Sequence, residues 1–229
     1  MFIANTVTKV TRQTTEPLRD QILQRCRLML MGGHIVPGQK LPLRPLAEEF
    51  ETSLMPVRDA LNRLVADGAL EMSNSRTIRV PDMSDERLLE LHEIRRSLEG
   101  LAAEYAAPLL SNAAISRLEQ LIDDMETALR SGDYDTYISS HYSFHFTIYT
   151  AAGRPTLLGM IDVLWLQVGP WFRQGIERAN STDGKPNAGH KRIVAALRAR
   201  DPVATRASVE HDVFANIEYI RKGEFPLAG

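Results

Sequence analysis

The stretch Ser53–Leu70, SLMPVRDALNRLVADGAL, has the pattern of a short amphipathic helix that ends at a glycine. Ser53 suits the position before a helix, and Pro56 falls in the first turn, where a missing N–H is tolerated. Apolar residues recur at helical spacing, and they are Val57, Leu61, Leu64 and Val65. Arg58 lies off this apolar stripe. A short helix that buries one face and presents an arginine near its N-terminus is the kind of element that reads a DNA major groove.

The segments around this helix complete a winged helix-turn-helix pattern. One helix is predicted from Glu16 to the glycine pair that begins at Gly32, and a second covers Leu43–Phe50. Two strand-like runs, Leu70–Ser73 and Thr77–Val80, flank a polar tip and predict a hairpin. Three helices and a hairpin within about 65 residues follow the winged helix-turn-helix plan.

Beyond Pro81 the pattern is helical throughout. Predicted helices begin at Asp85, at Ser111 or Asn112, at Tyr134, at Pro155, at His190 and at Pro202. No second strand-rich region occurs in the sequence, so an antiparallel bundle of about six helices follows the winged head. The fold class is therefore mainly α. We divide the chain into a flexible tail over 1–14, a winged helix-turn-helix domain over 15–80 and a helical domain over 81–229.

Composition and charge are those of an ordinary globular protein. The net charge of −2 excludes a uniformly basic nucleic-acid coat protein. Residues 1–80 hold 11 Lys and Arg against 8 Asp and Glu, a net +3, whereas the remainder carries −5. A basic head on an acidic body fits a DNA-binding module joined to a second domain.

A single cysteine, with no signal-peptide pattern and no apolar run of membrane length, predicts a cytoplasmic protein that makes no membrane contact.

Several motifs, taken in this order and at these distances, resemble the GntR family of bacterial transcription regulators. Within this family, the motifs resemble the FadR-type branch, whose C-terminal effector domain is called FCD. In the head the motifs are GGHIVPGQKL, LAEEF and S-x-x-PVRDAL-x-x-L-x-x-DGAL. In the body they are EIRRSLEGLAA, FH followed by AAGRPTL, and the closing H-x-x-I-x-x-AL and EH pairs. The resemblance implies a homodimer on a palindromic DNA operator, with the body as effector-binding and dimerisation domain.

The family's DNA-contacting positions fall on Arg44, Ser53, Leu54 and Arg58, and on Asn74 and Ser75 at the wing tip. The two arginines keep a guanidinium that can form bidentate bonds to guanine or phosphate. Leu54 stands where many members carry arginine, and Ser75 stands where a wing glycine is common. Both departures leave the operator sequence open, because lost base contacts change the sequence that is read. The alternative for the two arginines is a surface charge or an ion pair with Glu48 or Asp59.

Four histidines of the body form a predicted metal site. His141 and His145 are four residues apart and share one helix face, His190 begins a later helix, and His211 lies within the next. Ligands from three helices suit a metal site inside a bundle, and imidazole suits borderline metals such as zinc, nickel, copper or iron. The spacing alone leaves open that the site holds no metal and that His141 is hydrogen-bonded to its neighbours.

The resemblance sharpens this prediction. In many FCD proteins an aspartate and three histidines bind a divalent metal, and the aspartate precedes the first histidine by four residues. That position is His141 here, so we expect a carboxylate to be lost and the site's net charge to rise by one unit. Zinc or nickel then becomes the expected metal, with a stronger pull on an anionic effector.

Arg95, in EIRRSLE, matches an arginine that in several relatives holds the effector's carboxylate. The alternative is a buried ion pair with Glu99 or Glu93, and His92 is expected to be structural.

We therefore expect a repressor whose operator affinity is controlled by a small carboxylate metabolite bound near the metal. One alternative is a purely structural dimerisation domain without metal. A metalloenzyme is disfavoured, because the Glu-x-x-His repeats of di-metal bundles do not occur.

Overall fold

The chain divides into two units, which a computed structural model describes over residues 17–73, 77–181 and 187–221. The first unit contains Met1–Met83 and Trp165–Pro170, and the second contains Ser84–Leu164 and Trp171–Gly229. The predicted tail over 1–14 and the wing tip lie outside the described residues. None of the helices in the described ranges is both long and apolar enough to cross a bilayer.

Three helices and a hairpin form the N-terminal part of the first unit, which also includes the segment Trp165–Pro170 of a later helix. They are α1 (Leu18–Met31), α2 (Leu43–Glu49), α3 (Leu54–Ala66), β1 (Glu71–Met72) and β2 (Ile78–Arg79). The two strands are antiparallel, with Glu71 paired to Arg79. Helix α3 packs on α1 and α2. Its buried side chains are Val57, Ala60, Leu61 and Leu64. Each of the larger ones gains about 1.5–3 kcal/mol from leaving water, which is why this face and not the arginine face turns inward.

The connector between α1 and α2 also pairs with the wing. Lys40 forms a bridge with Arg79, and the N–H of Leu41 donates to the carbonyl of Ile78 at 2.8 Å. On the other side, the N–H of Val80 donates to the carbonyl of Gln39 at 3.0 Å. These backbone bonds attach the hairpin to the helices of the head.

Six helices build the second unit within the described ranges. They are α4 (Asp85–Ala106), α5 (Asn112–Ser131), α6 (Tyr134–Ala151), α7 (Pro155–Ser181), α8 (Ala188–Arg198) and α9 (Pro202–Arg221). Three of them begin with a side-chain cap, because Ser84, Ser111 and Asp133 each accept a backbone N–H from three residues ahead at 3.0–3.2 Å. Gly132, with φ +72°, ends α5 in the left-handed conformation that favours glycine.

The packing partners of these helices define where a site can form. Helix α4 packs against α6 and α9, α5 packs against α6 and α8, and α8 packs against α9. Side chains of α4, α6, α8 and α9 can therefore meet inside the bundle. The predicted fold class, a winged helix-turn-helix followed by an all-helical bundle, is confirmed.

Candidate metal centre and DNA-reading helix

Three imidazoles and one carboxylate meet where α6, α8 and α9 pack together. They are His141 and His145 of α6, His190 of α8 and Asp212 of α9, and one ligand atom from each lies within 4.8 Å of the others. All four residues are buried, with exposed fractions between 1% and 3%. The spacing of four residues places the first two on one face of α6, as the sequence predicted. We call these four residues the His–Asp cluster.

The sequence predicted His211 as the fourth ligand residue, but the fourth residue of the cluster is Asp212. The His211 side chain is exposed on α9, and its neighbour Asp212 enters the cluster instead. Successive residues of a helix point about 100° apart, and the rotation that directs Asp212 into the cluster leaves His211 on the exposed side of α9. The buried residues of α9 with described side chains are Thr205, Val209, Asp212 and Val213, which follow the helical period. In the sequence, Val209 and Val213 mark the buried face of α9, and position 212 lies on that face.

The charge expected for the site changes with this correction. In many FCD proteins an aspartate ligand stands four residues before the first histidine. The sequence has His141 at that position, so the loss of one carboxylate was predicted. The structure keeps a set of three histidines and one aspartate, but the carboxylate is supplied by α9 rather than by α6. The predicted gain of one positive charge therefore does not occur.

Gly189 makes room for the carboxylate. A Cβ atom built on Gly189 would overlap Oδ1 of Asp212, far inside any tolerated contact. Gly189 directly precedes His190, so the missing side chain lets α8 and α9 approach closely at the point where both supply a ligand. Sequence spacing gave no indication of this role.

Hydrogen bonds on the outer nitrogens set the tautomers of two imidazoles. Nδ1 of His190 lies 3.2 Å from Oδ1 of Asn187, an amide oxygen that only accepts, so this Nδ1 carries the proton. Nδ1 of His145 lies 3.0 Å from the hydroxyl of Tyr149, which itself donates to Oε2 of Glu99 at 2.5 Å. The hydroxyl has one proton, so it accepts from His145. Both histidines then turn the unprotonated Nε2 inward, as a metal ligand does.

The electrostatics of the His–Asp cluster favour a cation at its centre. Burial lowers the pKa of His190 to about 4, and burial together with the other two histidines lowers the pKa of His141 well below its usual value. Burial opposes ionisation of Asp212, yet His190 and His145 hold the pKa of its carboxyl below the usual value.

Distances within the cluster support the same conclusion. Nε2 of His145 and Nε2 of His190 lie 3.4 Å and 3.8 Å from Oδ2 of Asp212. Where both nitrogens turn a lone pair toward this carboxylate oxygen, a cation between them would relieve the repulsion. Neutral imidazoles and an ionised carboxylate are the donors that a divalent metal requires, so these residues fit a metal ion.

Arg95, the predicted effector residue, is buried on α4. Its Nε donates to Oε1 of Glu99 at 2.7 Å, so the ion pair that the sequence offered as an alternative is present. Arg95 is the last of the causes that lower the pKa of His141, after burial and the neighbouring histidines, and the pKa of Asp212, where the histidines act against burial. Its positive charge therefore acts on the His–Asp cluster.

His92 lies one helical turn before Arg95 and is also buried. Its Nδ1 lies 2.9 Å from the carbonyl oxygen of Leu88, which fixes the orientation of the ring. Burial and the charge of Arg95 lower the pKa of His92 to about 3, so this histidine is neutral at pH 7.

The predicted DNA-contacting residues of the head lie on exposed positions. They are Arg44 in α2, Leu54 and Arg58 in α3, and Ser53 directly before α3. Ser53 has the extended backbone of an N-cap residue, but its hydroxyl makes no capping hydrogen bond. Among the residues that the structure describes, neither arginine forms the ion pair with Glu48 or Asp59 that the sequence left open. Asn74 and Ser75 lie outside the described residues.

Comparisons with known proteins match both units. The FCD domain model matches residues 90–213, and the model for bacterial regulatory proteins of the gntR family matches residues 18–80. The HTH-type transcriptional regulator McbR of Escherichia coli K12 is 30% identical over 198 residues, or 86% of this chain and 90% of McbR. The HTH-type transcriptional repressor GlaR of the same organism is 24% identical over 206 residues, or 84% of this chain and 91% of GlaR.

Solved structures agree with the sequence comparisons. The structure of E. coli McbR/YncC has a TM-score of 0.81 at 27% identity and covers 91% of this chain and 99% of its own. A GntR regulator from Rhodococcus sp. RHA1, at 17% identity, shows the same fold with a TM-score of 0.75 over 90% of this chain and 99% of its own. The chain therefore belongs to the GntR family of bacterial regulatory proteins, carries the FCD domain of the FadR-type branch, and is a DNA-binding transcriptional regulator rather than an enzyme.

Proposed function

We propose that this protein is a cytoplasmic repressor that binds a palindromic operator as a homodimer and changes its operator affinity when a small carboxylate binds near a divalent metal. In this proposal residues 15–80 contact DNA, and residues 81–229 bind the effector and dimerise. The observation that carries it is the buried His–Asp cluster, in which four metal-type ligands lie within 4.8 Å of one another.

Zinc or nickel is the metal that we propose. His141, His145, His190 and Asp212 would hold it, and the exposed His211 has no part in the site. Imidazole ligands suit these borderline metals, whereas magnesium and calcium prefer sets made only of oxygen. When bound, the metal supplies a positive centre on which an anionic effector can be anchored.

We propose that Arg95 holds the effector's carboxylate. A guanidinium presents a planar fork of donors that fixes both the charge and the orientation of a carboxylate. The support is electrostatic, because Arg95 acts on the pKa of both His141 and Asp212. A carboxylate drawn to the metal would therefore also be drawn to Arg95.

In the head, we propose that α3 reads the major groove. Arg58 is exposed one turn into the helix, and Leu54, at 38% exposure, offers an apolar contact suited to a thymine methyl group. Ser53 and Arg44, both exposed, would bind phosphate or a base edge. Asn74 and Ser75 remain the predicted wing contacts.

The test combines metal analysis with operator titration. Elemental analysis of purified protein should find one zinc or nickel per chain. Fluorescence anisotropy with the DNA upstream of its own coding region should then show tight binding. A panel of small carboxylates should change that affinity by about 5–150-fold, the usual range of allosteric coupling, and only in the metal-loaded protein. Protein without metal, with operator binding that no carboxylate changes, would instead indicate a purely structural dimerisation domain.

A further inference from the structure

We propose that Glu99 and Tyr149 act together as positioning residues that hold His145 in the tautomer required for metal binding. The inference deepens the proposed function, on which its metal-affinity test rests. Its spectroscopic test needs no metal, so the two can fail separately.

A continuous series of buried hydrogen bonds connects α4 to the His–Asp cluster. Nε of Arg95 donates to Oε1 of Glu99 at 2.7 Å, and the Tyr149 hydroxyl donates to Oε2 of the same carboxylate at 2.5 Å. Oη of Tyr149 then lies 3.0 Å from Nδ1 of His145. Glu99 and Tyr149 are at most 1% exposed. Water is therefore not available to replace either partner.

The direction of each bond follows from the one before it. Arg95 and Glu99 form a buried ion pair, and in an ion pair the carboxylate oxygens accept hydrogen bonds and donate none. Tyr149 must then give its single proton to Glu99, and its oxygen can only accept from His145. The proton of the imidazole is thereby held on Nδ1, and the lone pair of Nε2 is left on the side of the metal ligands.

The alternative tautomer would compete with metal binding. With its proton on Nε2, His145 could donate to Oδ2 of Asp212, which lies 3.4 Å away. That single hydrogen bond would occupy two of the four metal ligands. The carboxylate of Glu99, acting through Tyr149, prevents this by accepting the only hydroxyl proton in the series.

Two conservative variants interrupt the series in different ways. Tyr149→Phe removes the acceptor for Nδ1 and keeps the ring. Glu99→Gln keeps the shape: its amide oxygen accepts from Arg95, and its NH₂ group donates to Tyr149, whose proton is then free to go to His145. Tyr142→Phe, on the same helix and outside the series, is the matched control.

The first measurement is the imidazole tautomer of His145 in metal-free protein, read from long-range ¹H–¹⁵N correlation spectra and assigned with His145→Gln. The parent and Tyr142→Phe should show the proton on Nδ1. Tyr149→Phe and Glu99→Gln should both show it on Nε2. A proton that stays on Nδ1 in both variants would overturn the inference, whatever the protein does with metals.

The second measurement is zinc affinity by chelator competition. Tyr149→Phe should bind zinc on the order of 10–100-fold more weakly than the parent, as expected when an outer hydrogen-bond partner is lost, and Tyr142→Phe should match the parent. Equal affinity in all three proteins would contradict the positioning role and leave the proposed metal function standing. A parent that binds no zinc but shows the tautomer changes would leave the positioning role standing and remove the proposed metal function.

Discussion

The proposed DNA-reading face of α3, which carries Leu54 and Arg58, and the His–Asp cluster are built in opposite ways. The reading face comes from one continuous stretch, Ser53–Leu70, and its chemistry lies on exposed side chains of a single helix. The cluster is buried and comes from α6, α8 and α9. Which residues belong to it therefore depends on which face each of these helices turns inward. The first kind of site can be predicted from local spacing together with the family resemblance. The second depends on which residue of each helix turns inward and on how closely the helices approach.

The largest expected effect is on the reading face. Arg58→Ala should weaken specific operator binding by about 2–6 kcal/mol for two half-sites together, because each bidentate contact to a base contributes about 1–3 kcal/mol. Fluorescence anisotropy with the operator measures this loss. The control is Arg117→Ala, which removes the same charge from an exposed position of α5. Metal content should be unchanged in both variants, and an equal loss of operator binding in both would show that general charge, not the reading helix, is responsible.

The next effect tests the helical phase of α9. Asp212→Asn keeps the size of the side chain but removes its charge, and it should lower zinc affinity by more than the roughly 100-fold expected for an outer residue. His211→Gln should leave zinc affinity unchanged, because that side chain is exposed. Chelator competition compares the two neighbours directly. The reverse result would place His211 in the site, as the sequence first suggested.

A third effect concerns the approach of α8 and α9. Gly189→Ala should push the carboxylate of Asp212 away, lower zinc affinity and cost about 1–3 kcal/mol of folding stability, as overpacking does. Gly159→Ala is the matched control, because a Cβ there meets nothing within 4 Å. That variant should gain up to about 1 kcal/mol from helix propensity. Urea denaturation measures both, and similar stability in the two variants would contradict the close approach.

The smallest expected effect is a pH dependence of stability that arises from His92. Its pKa is about 3 when folded against an ordinary 6.5, so the unfolded chain binds more protons between these values and stability falls as pH drops below 6.5. Between pH 7.5 and pH 5 the parent should lose about 1–2 kcal/mol more than His92→Phe. Urea denaturation of metal-free protein at both values measures the difference. Identical pH dependence would show that His92 is not buried in its neutral form.

Much of the fold could be predicted because its determinants are local. Caps such as Ser84 and Ser111, and the apolar stripe of α3, mark elements within a single turn of the chain. The pair of histidines on α6 was equally local. The carboxylate of the cluster was not, because positions 211 and 212 differ only in phase, and only the neighbouring valines reveal it.

The hydrogen bonds behind the cluster could be predicted only in part. The pairs Arg95 with Glu99 and His145 with Tyr149 are each four residues apart on one helix and are visible in the sequence. The hydrogen bond that joins the two pairs is not visible in the sequence. Tyr149 and Glu99 are 50 residues apart and meet only where α6 packs on α4. Tertiary packing, rather than any sequence pattern, joins the two pairs.

The most direct test of the central claim is X-ray absorption at the zinc edge of zinc-loaded protein, recorded for the parent and for His211→Gln. Three imidazoles and one carboxylate of the His–Asp cluster predict a coordination shell of nitrogen and oxygen only, with three imidazole signatures that are the same in both proteins. A shell with fewer than three imidazoles in the parent, or the loss of one imidazole in His211→Gln, would contradict it.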